Sequence, residues 1–252
     1  MIGSMVRHYL TTGITTGILL ITALGSWGHN PAMAEAPGNS RAITSLPAND
    51  WSFWPTDDDK APRTTVSGAS RGNCDSEQVT ALLPRSHYGQ TTKAHPEILV
   101  ATSADTPRLA LLSIQNLQNA QNPQSDDYYY ETYIELPDTP GVVSIALPND
   151  APALAANAFY QWSLILMCND QLRPDSPALQ GWIQTQPATH STADVSLEQA
   201  IEYREAHLWY DMVSLVADLR SQAPHDPDIR EAWQGILTAI DLAEMVNEPI
   251  IE

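Results

Sequence analysis

The stretch Ala158-Phe159-Tyr160-Gln161-Trp162-Ser163-Leu164-Ile165-Leu166-Met167-Cys168 contains neither glycine nor proline and constrains the fold more than any other part of the chain. Tyr160, Trp162, Leu164, Leu166 and Cys168 fall at every second position, and Gln161 and Ser163 share the other face until Ile165 and Met167 replace them. This period of two predicts a β-strand that is half-buried at its start and fully buried at its end. Six further strands are expected at 79–83, 97–102, 108–114, 128–136, 142–147 and 178–185, divided by turn-forming residues. Within 128–136, Tyr128, Tyr130, Ile134 and Leu136 face one way while Glu131 and Glu135 face the other. Short alternating strands with no helical period between them predict antiparallel sheets stacked face to face, a single sandwich over 74–187.

The period changes after Thr192. Ser196-x-x-Gln199 reads as a capping box, and Leu197, Ile201, Leu208, Met212, Leu215 and Leu219 recur at threes and fours, which predicts one or two helices ending near Ser221. Pro224-His225-Asp226-Pro227 forms a turn in which Asp226 caps the next helix and Pro227 takes its first position. Ile229, Trp233, Ile236, Leu237 and Ile240 supply the apolar face of that helix. A helical hairpin over 192–252 is therefore expected beside the sandwich.

At the other end, Arg7 and His8 precede an apolar run from Tyr9 to Trp27, and Ala32-Met33-Ala34 follows. A charged start, a short apolar stretch and a small-x-small exit predict a signal peptide over 1–34 and an exported mature chain that is not inserted in the membrane after cleavage. Residues 35–73 are rich in Pro, Gly, Ser and Asp and read as a linker or arm, with Trp51 and Trp54 as candidate anchors onto the sandwich or a partner. The chain holds two cysteines, and an oxidising destination predicts the disulfide Cys74–Cys168. Closing that loop is worth about 4–5 kcal/mol before strain. The formal net charge of −18 excludes nucleic acid as a natural partner and keeps an exported chain in solution.

No catalytic constellation, cofactor loop or metal-ligand set is legible. Gly68-Ala69-Ser70-Arg71-Gly72 spells the outline of a nucleophile elbow, but no strand precedes it and no helix follows. His207 and Asp211 stand at i and i+4 on an expected helix and His225 adjoins Asp226, arrangements that a solvated helix face explains. Asp57-Asp58-Asp59 lacks the spacing and the glycine of a calcium loop. No cofactor and no metal are expected. Trp182 shares the polar face of its strand with Gln180 and Gln184, which makes it a candidate for stacking on a sugar ring or, alternatively, for packing under the helices.

Leu154, Tyr160-x-Trp162, the polar turn from Asn169 to Ser176 and the strand after it resemble the last hairpin of fibronectin type III and other immunoglobulin-like sandwiches. Ala200, Tyr203, Val216, Leu219 and Pro224 fall where a tetratricopeptide repeat keeps its small, aromatic and terminating residues, although His207 and Met212 depart from that pattern. A wider set of words runs in order along the chain: Trp54-Pro55, Pro62-Arg63, Gly68-x-Ser70-Arg71-Gly72-x-Cys74, Leu82-Leu83-Pro84, Gly89-x-Thr91, Tyr160-x-Trp162, Cys168, Gly181-Trp182-Ile183, Trp209-Tyr210-Asp211 and Leu219-Arg220. It resembles the exported cyanobacterial family catalogued as a domain of unknown function, DUF928. The resemblance implies export and the same two-part layout and transfers no catalytic or binding residue. The expected role is non-catalytic protein–protein interaction with another exported protein at the periplasm or cell surface. A polysaccharide-binding module is the alternative, and a hydrolase with an unfamiliar site a distant third.

Overall fold

The computed structural model describes residues 51, 79–103, 109–116, 129–148, 151–188 and 195–251. Its strands are β1 (Val79–Ala81), β2 (Tyr88–Thr91), β3 (Glu97–Thr102), β4 (Leu109–Asn116), β5 (Tyr129–Glu135), β6 (Gly141–Ala146), β7 (Phe159–Leu166), β8 (Ala178–Thr185) and β9 (Ile250–Ile251). Three helices, α1 (Leu197–Glu205), α2 (Trp209–Gln222) and α3 (Pro227–Ala239), and a 3-10 turn at Ala243–Asn247 separate β8 from β9. Among the described residues, no helix is long and apolar enough to cross a membrane.

Two sheets result, a four-stranded one in the order β1-β3-β6-β9 and a five-stranded one in the order β2-β8-β7-β4-β5. The strand that dominated the sequence is β7, and its alternation survives in three dimensions. Tyr160, Trp162, Leu164 and Leu166 are buried, while Gln161, Ser163 and Ile165 are half-buried on the other face. Side chains from both sheets, among them Ile98, Val100, Val143 and Ile145 from one and Leu112, Ile114, Leu164 and Ile183 from the other, share one hydrophobic cluster with the helices. The β7–β8 hairpin turns through Asn169 and Asp170, both at positive φ (55° and 57°), which Asn and Asp tolerate better than other residues with a side chain. Cys168 and Gln171 bridge the base of this turn.

The expectation of purely antiparallel sheets is corrected at two edges. β2 pairs parallel to β8, and β9 pairs parallel to β6. Both strands escape a local pattern search, because β2 is Tyr-Gly-Gln-Thr and β9 has two residues. Their partners lie far off in sequence, and a parallel pairing needs a long crossover that periodicity cannot report. The helices are followed by β9, which returns to the four-stranded sheet.

The helical segment breaks at Ala206–Leu208, where His207 takes a φ of 61°. Ser196 Oγ caps α1 by accepting from Gln199 N. Asp226 Oδ1 caps α3 by accepting from Asp228 N (2.9 Å) and Ile229 N (3.2 Å), with Pro227 at the first helical position as expected. α2 lies against β2 and β3, one strand from each sheet.

Candidate functional site

Trp209, Tyr210 and Asp211 open α2, and successive residues on a helix point about 100° apart. Each of the three therefore meets a different part of the sandwich. Trp209 Nε1 donates to the Leu82 carbonyl at 3.0 Å. Tyr210 Oη accepts from Trp162 Nε1 at 2.8 Å and donates to the Trp182 carbonyl at 3.1 Å, so one phenol ties α2 to both β7 and β8. Asp211 accepts from Thr91 Oγ1 at 2.5 Å and from the backbone N–H and hydroxyl of Thr92 at 2.7 Å each. All three side chains are buried.

Two glycines let these groups approach. A Cβ on Gly89 would come within 2.9 Å of Trp209 and Tyr210, and one on Gly181 within 2.5 Å of the Trp162 ring. Burial raises the Tyr210 phenol above its ordinary pKa, and the hydrogen bond from Trp162 opposes that rise. The Tyr203 phenol is raised as well, first by burial and then by the Asp211 charge. The junction is a closed polar network whose members satisfy one another, which is what a buried network requires.

Trp182 is 5% exposed and pairs with Gln161 on one side and Tyr88 on the other, so its ring does not present a face to solvent. Trp51 is buried against α3, with its Cδ1 within 2.7 Å of where a Gly235 Cβ would stand and the Arg204 guanidinium 5.4 Å from its ring centre. The solvated helix face expected for His207 and Asp211 is corrected: His207 lies in the break before α2, and Asp211 is wholly buried. A signal for this was present, because Asp211 is embedded in Trp-Tyr-Asp-Met-Val, where no polar face can form. Asp226 is a helix cap. Trp54, Asp57, Asp58, Asp59, Ser70 and Cys74 lie outside the described residues, and so does the expected bridge from Cys74 to the half-buried Cys168.

A second region differs from the junction in being open. A cleft of about 430 Å³ is lined by Ile134, Glu135, Leu136 and Pro137, by Val143–Ala146 of β6 and by Ile251. Its volume is within the range of ligand-sized pockets, its floor is aliphatic, and among the described residues Glu135 is the only ionisable one lining it. β5, an edge strand of the five-stranded sheet, borders it and carries Tyr133 at 62% exposure. From Leu109 to Leu172 the sequence contains no Lys, Arg or His, so β4 to β7 contribute carboxylates and no cation. Periodicity located β5 and β6 but gave no sign that a gap lies between them.

The outer face of the five-stranded sheet carries several paired amides. Gln115 Nε2 donates to Gln161 at 3.1 Å, Gln161 Nε2 to Gln180 at 3.4 Å, and Gln186 Nε2 to Gln90 at 3.0 Å. Tyr88 Oη donates to Gln184 beside them.

These features define a mainly β protein of two mixed sheets covered by three C-terminal helices. The family model described as Domain of Unknown Function (DUF928) matches residues 66–250, and the chain belongs to that family. No curated protein and no solved structure matches it. Of the words that carried the family resemblance, Leu82, Gly89, Thr91, Trp162, Gly181, Trp182, Trp209, Tyr210 and Asp211 converge on the junction between sandwich and α2. They hold the fold together, and none of them lines the open cleft.

Proposed function

We propose that this chain is an exported, non-catalytic protein that binds another exported protein through the open side of its sandwich. The observation that carries this reading is the cleft between β5 and β6, an aliphatic trough bounded by an edge strand and bearing one carboxylate. Exposed edges are points at which another chain can pair. Export is supported by the charged start, apolar run and Ala32-Met33-Ala34 exit of the sequence. In such a compartment Cys74 and Cys168 pair, and non-reducing peptide mapping should recover the linked peptides. A distant immunoglobulin-like kinship is supported by one contact, the Tyr160 hydroxyl accepting from Ala155 N at 2.9 Å, a corner of the kind those sandwiches use. A carbohydrate would need the outer amide face, where Gln115, Gln161 and Gln180 are engaged with one another, so the protein reading takes precedence.

The test places a photo-crosslinking residue at Ala146, which is exposed and lines the cleft, and separately at Thr80, exposed on the far edge strand of the same sheet. One exported protein, identified by mass spectrometry, should be captured from position 146 and not from position 80. Equal capture at the two positions, or none at 146, would sink the proposal. Fractionation and N-terminal sequencing of the mature chain check export independently.

A further inference from the structure

β9 covers only part of the edge of β6. Its two residues pair with Val142 and Val143, whereas β6 runs on to Ala146. The Val142 N–H donates to the Pro249 carbonyl at 2.8 Å, which fixes the side on which β9 lies. Backbone groups alternate along a strand, so those of Ser144 and Ala146 point to that same side, while those of Val143 and Ile145 point to β3. Among the described residues, no strand pairs with β6 on that side beyond Val143. Val143–Ala146 also form one wall of the cleft, and Ile251, the last residue of β9, stands at its end.

We infer that the cleft receives an extended segment of the partner, which continues the line of β9 by pairing with Ser144–Ala146 and sets a basic side chain against Glu135. The inference rests on the reading of the open side as a protein-binding surface and adds the chemistry of what binds. Three observations select this occupant. The free length of β6 is a strand edge, so its backbone calls for an extended chain rather than a helix. The half-buried Ile134 and Ile251, with the buried Leu136 and Ile145 beneath them, form an aliphatic lining that accepts the alternate side chains such a chain directs inward. The remaining lining group with a charge is a carboxylate, and Glu131 and Asp138 add exposed negative charge on β5 and in the turn after it. A segment alternating aliphatic and basic residues matches all three.

The experiment titrates the mature full chain into a fluorescent peptide that alternates valine and lysine and follows anisotropy. Three comparison peptides are used: one with glutamate in place of lysine, one with alternate backbone amides N-methylated, and one with the lysines clustered at an end. Binding of the alternating lysine peptide, lost at least ten-fold in each comparison, is the expected result. Ala146→Pro removes an N–H on the open side without touching the ladder to β3 and should weaken binding at least ten-fold with an unchanged unfolding midpoint. Glu135→Gln should weaken it several-fold. No binding of the lysine peptide, equal binding of the N-methylated peptide, or indifference to Ala146→Pro would overturn strand addition. Capture from position 146 alongside any of those results would leave the protein-binding surface standing and remove only this mode of recognition.

Discussion

The junction around α2 and the cleft beside β6 are built on opposite principles. At the junction, Trp162, Tyr210, Asp211 and Thr91 are buried, and their polar atoms are paired across distances of 2.5–3.1 Å. At the cleft, a strand edge and the half-buried Ile134 and Ile251 lie beside the exposed Glu135 and Ala146. A buried network is costly to leave half-made, so its residue types and their spacing are tightly constrained. An open trough needs only aliphatic character and an accessible backbone, which many residues supply. For that reason recognisable words in a sequence can mark what holds a fold together, while an open cleft is written in ordinary residues.

Mutations at the junction should destabilise the fold and leave the cleft intact. Trp209→Ala removes a fully buried ring and its bond to the Leu82 carbonyl and should cost about 3–5 kcal/mol in denaturant unfolding. Asp211→Ala should cost about 2–3 kcal/mol, because it leaves the Thr91 hydroxyl and the Thr92 N–H buried or half-buried without their acceptor. If either variant kept wild-type stability, the junction would not be the structural hub described. Neither should alter peptide binding under conditions where the variant is folded.

Tyr210→Phe should cost about 1–3 kcal/mol through the loss of its bonds to Trp162 and Trp182. It also has a pH signature. The folded phenol is held above its ordinary value of 10.0, so above that pH the unfolded chain releases a proton that the folded chain keeps. Stability contributed by the neutral phenol is full below pH 10 and declines as the pH rises beyond it. Tyr203, raised in the same direction, adds to the decline. Unfolding measured between about pH 9 and 11 should show a shallower alkaline loss in Tyr210→Phe than in the parent. The smallest effect belongs to the outer face. Gln161→Ala breaks two exposed or half-buried amide contacts and should change stability by no more than about 0.5 kcal/mol.

Most of the strands were legible because each buries one face. β7, β3 and β6 lie where alternation put them, to within a few residues at their ends, and α3 begins at the Asp226-Pro227 signal. The break at His207 was not legible, since a helix period continues across it and nothing local announces a positive φ at a histidine. Asp211 was misplaced for a related reason: a lone carboxylate on a helix ordinarily faces solvent, and its donors come from Thr91 at the end of β2 and from Thr92 just after it, 120 and 119 residues away. The candidate cleft had no sequence signature, because it is a space between β5 and β6 and not a property of either.

By itself the sequence determined which segments extend, which coil and which side chains seek an apolar neighbour, since those follow from covalent geometry and the period of burial. Only the tertiary structure decided that β2 and β9 pair parallel at the sheet edges, that Trp182 is covered, that Tyr210 spans two strands and that β6 keeps an open edge. Each of these depends on which distant segment arrives alongside. Local periodicity records that a surface must be buried, but the identity of the group that buries it is fixed only when the whole chain has closed around its core.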